Sequence, residues 1–342
     1  MKKMLAMLLA LTMILSLAAC GGSKKEETKE ESTETTETTE STESTSEPEP
    51  LTINFPTASS TGSLYAVGAA IANLWDTEIS YISASSQASG GGIDNLGLVT
   101  DGEAEVSIAI SSNCYECLNG VGTFEGYAYE DLKVIGGLYF NPNHVVVSEK
   151  SGITDLASVK GKHFAVGVAG SSITGECQNH FTTAGLTFPD DINCEYINFG
   201  DAVDMLQNGT LDGAWIMAGV PAAAVTQATT AGCEIMEIGD DVIADLKVDY
   251  PWYAPYTIPA GTYPNQDEDI QTSAVKMVMF CRGDLDEQAV YDLTKTLWEN
   301  IDKLGESQAP LKGLTPEAAV QDIADLPLHP GAQRYYEEIG VI

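Results

Sequence analysis

Leu51-Thr52-Ile53-Asn54-Phe55, then Thr57 to Ser63, then Leu64 to Leu74 is the stretch whose reading decides the fold. Leu51, Ile53 and Phe55 alternate with polar residues, the period of a half-buried strand. Thr57 to Ser63 is rich in Ser, Thr and Gly and reads as a polar hinge. Leu64, Val67, Ile71 and Leu74 then recur near helical spacing, with Ser63 placed to cap the helix. A strand, a loop of small residues and a helix in that order leave free N–H groups and hydroxyls at a helix N-terminus, where an anion is welcome.

The unit recurs. Ile79 to Ser83 reads as a second strand, Ser85 to Gly92 as a Ser/Gly loop, and Ile93 to Val99 as a helix carrying Ile93, Leu96 and Leu98. Glu105 to Ile110 is strand-like, with Ser111-Ser112-Asn113 at its C-terminal end and a helix around Cys114 to Leu118. His163 to Val168 is another strand, Gly170-Ser171-Ser172-Ile173-Thr174 a hydroxyl-rich loop, and a helix follows to Ala184, where Gly185 stops it. Ala214 to Met217 ends in Ala218-Gly219-Val220-Pro221, again before a helix. Strands alternating with helices predict an α/β fold. Ligands of open α/β sheets bind outside the C-terminal ends of the strands, and here those ends carry Ser, Thr, Gly and Asn. Helix capping alone accounts for any one such loop; several in one chain point to a binding site.

The ends and the composition narrow the function. Lys2 and Lys3 precede an apolar run from Met4 to Leu17, and Leu17-Ala18-Ala19-Cys20 follows. This is the anatomy of a secretory signal, too short for a membrane span. The cysteine resembles that of a bacterial lipobox, which implies removal of residues 1–19 and a lipid on Cys20, anchoring an extracytoplasmic protein to the cell membrane. Ser23 to Pro50 is almost all Glu, Thr and Ser, so residues 20–50 read as a disordered tether. The chain has 50 acidic and 16 basic residues and a net charge of −34, which argues against nucleic acid and anionic lipid head groups.

Catalytic and metal signals are thin. Cys114-Tyr-Glu-Cys117 has no second pair at metal spacing, and His180 near Cys177 has no partners. These cysteines, with Cys194, Cys233 and Cys281, read as buried small residues or simple bridges rather than a zinc site. No phosphate loop, no Gly-x-Ser-x-Gly elbow and no His-Glu-x-x-His occurs among the 342 residues. The expectation is a binding protein with no catalytic residues, no metal and no cofactor.

An ordered set of motifs resembles a known family. They are Thr61-Gly62-Ser63-Leu64-Tyr65-Ala66-Val67-Gly68, Gly91-Gly92-Ile93-Asp94-Asn95-Leu96, and Gly102-Glu103-Ala104-Glu105-Val106-Ser107-Ile108-Ala109. His144-Val145-Val146-Val147, Gly161-Lys162-His163-Phe164 leading into Gly170-Ser171, and Asp212-Gly213-Ala214-Trp215 follow. Tyr256-Thr257-Ile258-Pro259-Ala260-Gly261-Thr262-Tyr263 and Pro327-Leu328-His329-Pro330-Gly331-Ala332 complete the set. In this order they resemble the TAXI branch of the substrate-binding proteins of TRAP transporters. The first loop departs from the family's Gly-Gly-Thr-Tyr-Tyr, and Gly91-Gly92 stands where Gly-Ser is usual.

The resemblance implies a two-lobed, clam-shell α/β receptor of the type II periplasmic-binding-protein kind. Lobe 1 would take residues 51–147 and 258–342, and lobe 2 residues 148–257. It implies a small-molecule solute bearing a carboxylate, an amino acid such as glutamate or glutamine or a dicarboxylate, delivered to membrane permease subunits. The ligand-binding residues implied are Thr61, Gly62, Ser63, Tyr65, Ser89, Gly91, Asn95, Ser111, Ser171, Ser172, Thr174 and Gly219. The chain's two arginines, Arg282 near a strand end and Arg334 in a C-terminal helix, are expected to be structural. The carboxylate would therefore rest on neutral donors. A surface interaction lipoprotein or antigen, or a cell-envelope hydrolase, are the competing readings.

Overall fold

The computed structural model describes residues 49–58, 60 and 63–342. The expectations for the signal, for Cys20, for nearly all of the tether, and for Thr61 and Gly62 lie outside the described residues.

In chain order the first elements are β1 (Leu51–Pro56), α1 (Ser63–Glu78), β2 (Ile82–Gln87), α2 (Gly92–Thr100), β3 (Val106–Ile110), α3 (Ser111–Asn119) and β4 (Leu132–Ser148). Then come β5 (His163–Ala165), α4 (Ser172–Thr183), β6 (Asn193–Glu195), α5 (Phe199–Gln207), β7 (Gly213–Met217), α6 (Ala223–Thr230), β8 (Cys233–Met236) and α7 (Asp240–Asp249). The last are β9 (Ala254–Ile258), β10 (Ile270–Arg282), α8 (Glu287–Glu299), α9 (Ile301–Ser307), α10 (Pro316–Ala319) and α11 (Pro330–Glu338).

β1 and β2 pair in parallel, Leu51 opposite Ile82, with α1 as the crossover. α1 buries Val67, Ile71, Leu74 and Trp75 on one stripe, the spacing of an amphipathic helix. Trp75 stacks on Phe55 at 5.5 Å and donates its indole N–H to the carbonyl of Leu293 at 3.0 Å, so the polar edge of this buried ring is satisfied. β1 is tied to β3 by side chains: the Asn54 amide donates to Glu105 at 2.7 Å and the Ser107 hydroxyl to the carbonyl of Pro56 at 2.6 Å.

The main sheet runs β3-β10-β4-β7-β5-β6, with β8 also on β4 and β9 also on β10. β3 and β7 are buried along their whole length, as strands covered on both faces are. β4 is the long member, and it changes partners along its length. Leu132 to Pro142 pairs with β10, whereas Asn143 to Val147 pairs with β7 and Val145 to Ser148 with β8.

Four local expectations need correction. The second strand begins at Ile82 rather than Ile79, because the Ile79 amide still bonds back to Trp75 and prolongs the helix. The helix expected around Cys114 to Leu118 begins earlier, at Ser111, directly after β3. The His163 strand stops at Ala165, before the left-handed turn at Gly167 (φ +81°). Ser63 is the first helical residue of α1 rather than the residue before it.

Candidate functional site

Two six-residue segments share a pattern: Ser111-Ser112-Asn113-Cys114-Tyr115-Glu116 and Ser171-Ser172-Ile173-Thr174-Gly175-Glu176. Each lies where the chain enters a helix, α3 or α4. Positions four apart share a helix face, so Ser112 and Glu116 point the same way, as do Ser172 and Glu176. The two segments meet across a cavity of about 710 Å³ lined by Ser112, Asn113, Tyr115 and Glu116 on one side and Gly170 to Ser172, Gly175 and Glu176 on the other. Tyr250 and Trp252, after α7, close a third side. One hydrogen bond bridges the gap: the Ser172 hydroxyl donates to Asn113 Oδ1 at 2.6 Å. A second cavity of about 250 Å³ adjoins at Gly170 to Ser172 and reaches Leu64, Gly90 to Ile93, Ile110, Asn141, Met217 and Met277.

The α4 segment is fully wired. Ser171 is the N-cap and accepts from the Thr174 amide at 3.4 Å. Thr174 donates its hydroxyl toward the carbonyls of Val166 (3.1 Å) and Val168 (2.9 Å). These two hydroxyls therefore hold the loop, and Ser172 and the first-turn amides of α4, which have no intrahelical partner, are what this side offers to a solute. Behind them Glu176 is 2% exposed. Asn143 Nδ2 donates to Glu176 at 3.2 Å and to Ser273 at 3.0 Å, and Asn143 Oδ1 accepts from Trp215 at 2.8 Å. Ser273 also bonds His180 at 2.6 Å. Burial pushes the Glu176 carboxyl up to about 7 against the hydrogen bonds from Tyr253 and Asn143, and burial takes the His180 imidazole down to about 4.

The α3 segment is not wired in this way. Its N-cap position holds Ile110, which offers no side-chain bond. The hydroxyls of Ser111 and Ser112 are both buried and without a partner. Glu116 is half-buried and accepts from the Thr123 amide at 3.3 Å, and burial raises its carboxyl above the ordinary value. Gly122 (φ +56°) lies against it, where a Cβ would come within 2.5 Å of Glu116 Oε1.

Among the described residues lining either cavity there is no Lys, Arg or His. The basic groups nearest the sheet are engaged elsewhere. Arg282 pairs with Asp284 at 2.9 Å and Arg334 with Glu287 at 2.8 Å. Lys276, 2% exposed on β10, gives its ammonium to the carbonyls of Ala318 and Gln321.

Of the residues singled out from the sequence, the structure brings Gly91, Ser171, Ser172 and Thr174 to the cavities. Gly91, before α2, has φ +101° and ψ −165°, a conformation open essentially to glycine alone. Ser89 and Asn95 stand behind that turn. The Ser89 hydroxyl donates to Asn95 Oδ1 at 2.6 Å, and the fully buried Asn95 amide bonds the carbonyls of Thr57 (2.8 Å) and Ile108 (2.9 Å). Both shape the loop and neither lines a cavity. Ser111 is buried without lining one, Ser63 is exposed, Tyr65 is half-buried on α1, and Gly219 sits past β7 beside Tyr139 and Asn141. Ser112 and Asn113, singled out at a strand end but not among the implied ligand-binding residues, line the larger cavity, and Glu116, Asn141, Glu176 and Trp252 line the cavities and escaped sequence reasoning. The repeated Ser-Ser-x-x-x-Glu was the signal that could have found Glu116 and Glu176.

Among solved structures, a protein from Bordetella bronchiseptica RB50 is similar at 14% identity over 84% of this chain and 98% of its own, with a TM-score of 0.50. The alkanesulfonate-binding protein SsuA from Xanthomonas axonopodis pv. citri, bound to MOPS, is 15% identical over 85% of this chain and 84% of its own, with a TM-score of 0.49. An ancestral arginine-binding protein bound to arginine is 17% identical over 75% and 97%, with a TM-score of 0.45. These likenesses concern the fold alone. The chain belongs to the NMT1-like family, whose profile matches residues 55–340.

Proposed function

We propose that this chain is the extracytoplasmic solute receptor of a transporter, and that the transporter is of the TAXI-type TRAP class. The observation that carries the receptor reading is the cavity of about 710 Å³ between the entries of α3 and α4, a size typical of small-molecule sites. The adjoining cavity of about 250 Å³ has no charged residue among its described lining and meets the starts of α2 and α4, as the binding of a solute carboxylate by neutral donors requires. The ordered motifs from Thr61 to Ala332 support the TAXI assignment, and the fold of the solved structures agrees with a receptor. A lipid on Cys20 and the acidic tether would keep it at the membrane surface.

In this reading lobe 1 comprises residues 51–147 and 258–342 and lobe 2 residues 148–257. The change of partner within β4 supports a first crossing at Pro142 and Asn143, a little before Val147, and β10, whose start through Ala274 pairs with β9 and whose remainder pairs with β3, supports a return after Ala274 rather than at Ile258. Opening would break the Ser172–Asn113 bond and solute would restore a bridge, which couples closure to binding. A thermal-shift screen of residues 49–342 against amino acids, dicarboxylates, sulfonates, amines and sugars tests the receptor, which predicts a clear rise in melting temperature with at least one carboxylate-bearing solute. No response across the panel contradicts it. Uptake by the reconstituted permease should follow an ion gradient; strict dependence on ATP would overturn the TRAP assignment.

A further inference from the structure

We propose that the cavity between α3 and α4 holds a protonated amine of the solute, seated between Glu116 and Glu176 with the Ser112 hydroxyl as a further acceptor. This rests on the receptor reading and adds to it the charge of the solute's second end.

Three observations carry the inference. The charged groups among the described residues lining this cavity are Glu116, Glu176 and Asp249, all carboxylates. A buried carboxylate without a cation is costly, and two in one cavity are costlier. Ser112 lines the same cavity, is 4% exposed, and its buried hydroxyl has no partner. An unmet buried polar group of this kind is destabilising, and a solute that supplies its bond removes that cost. Ser171 at the opposite wall, by contrast, has its bond within the chain.

The geometry of the neighbouring cavity fits the other end of such a solute. That cavity contains no charged residue among its described lining and meets the starts of α2 and α4 at Gly91, Gly92 and Ser172. A carboxylate there and an ammonium near Glu116 make the solute a zwitterion. Gly122 lies against Glu116, so a side chain there would have to displace the Glu116 carboxylate. Glu116 also contributes, as the smallest of the causes, to raising the Glu176 carboxyl.

The test uses the screen above with matched pairs added: L-glutamate and glutarate, 4-aminobutyrate and butyrate, and 6-aminohexanoate and hexanoate. Each hit is titrated by calorimetry against wild type, Glu116→Gln and Ser112→Ala, with the melting temperature of each ligand-free variant as the folding control. Amine-bearing hits that bind at least tenfold more tightly than their amine-free partners, and that lose at least tenfold in Glu116→Gln while Ser112→Ala folds normally, support the subsite. Hits that bind equally with and without the amine overturn it and leave the receptor standing. Amine-bearing hits unaffected by both substitutions overturn it as well. No hit of any class removes the receptor and the subsite together.

Discussion

The α3 and α4 entries carry the same Ser-Ser-x-x-x-Glu pattern and treat it in opposite ways. In α4 the first serine stands just outside the helix, and its oxygen caps the Thr174 amide. In α3 the helix starts one position earlier in the pattern, so Ile110 takes the capping place and the first serine falls inside the helix with an unmet hydroxyl. A one-residue difference in where a helix begins thus turns a capping residue into a buried donor without a partner. The glutamates differ in the same sense. Glu176 is anchored through Asn143 to β4, β7 and β10, whereas Glu116 rests on a short turn at Thr123. One wall of the cavity is a rigid reference, and the other keeps unsatisfied polar groups, which native proteins seldom do without a use for them.

The largest effect expected is on the anchored wall. Asn143→Leu leaves Glu176, Ser273 and Trp215 each short of a bond in a buried setting, and should cost about 3–5 kcal/mol in urea unfolding. A loss under about 1 kcal/mol would mean that the network does not hold α4.

Next comes the pH profile of the glutamates. The folded Glu176 carboxyl lies near 7 against an ordinary 4.5. Its folded pKa is raised, so its contribution is complete below about pH 4.5 and is lost as the pH rises through 7. Glutamine cannot ionise, so Glu176→Gln should gain on wild type by about 1.4 kcal/mol per pH unit across that window, up to about 3 kcal/mol by pH 8. His144 and His180, both lowered to about 4 by burial, weaken wild type and variant alike on acidification and cancel in the difference. Glu116→Gln should move the same way by less, because Glu116 is only half-buried. Parallel profiles for wild type and Glu176→Gln would break the comparison.

The smallest pair concerns the serines. Ser171→Ala removes an N-cap and should cost about 1 kcal/mol, while Ser111→Ala removes an unmet hydroxyl and should lie within about 0.5 kcal/mol of wild type or stabilise it. Equal losses in the two variants would show that the offset between the helices has no energetic consequence.

The fold was legible wherever a short local pattern decides the structure. The strand at Leu51 to Phe55 and the helix over Leu64 to Leu74 read correctly because alternation in the one and helical spacing in the other are uninterrupted. β4 was not legible: Gly136-Gly137 and Asn141-Pro142-Asn143 punctuate it like turns, and only pairing with β7, β8 and β10 makes it one strand. The glycine and hydroxyl loops were found because helix entries have a compositional signature. Glu176 was missed because its burial depends on Asn143, Trp215 and Tyr253, all remote in sequence. Asn95 was noticed for its place in a motif, but its side chain turns inward to fix the loop, and no local pattern distinguishes the two outcomes. Arg282 and Arg334 pair with Asp284 and Glu287, and neither is among the described residues lining the cavities.

The central claim is that a solute occupies the space between these two walls, and Gly175 gives direct access to it. Gly175 lines the cavity from within α4, and a Cβ there would meet no atom within 4 Å. A larger side chain should therefore fill the cavity without disturbing the helix, where replacing glycine is itself favourable. Calorimetric titration of Gly175→Phe with the tightest-binding solute of the screen should show affinity reduced by more than a hundredfold, with the melting temperature of the ligand-free protein unchanged or raised. Wild-type affinity in a well-folded Gly175→Phe protein would place the solute elsewhere and contradict the account.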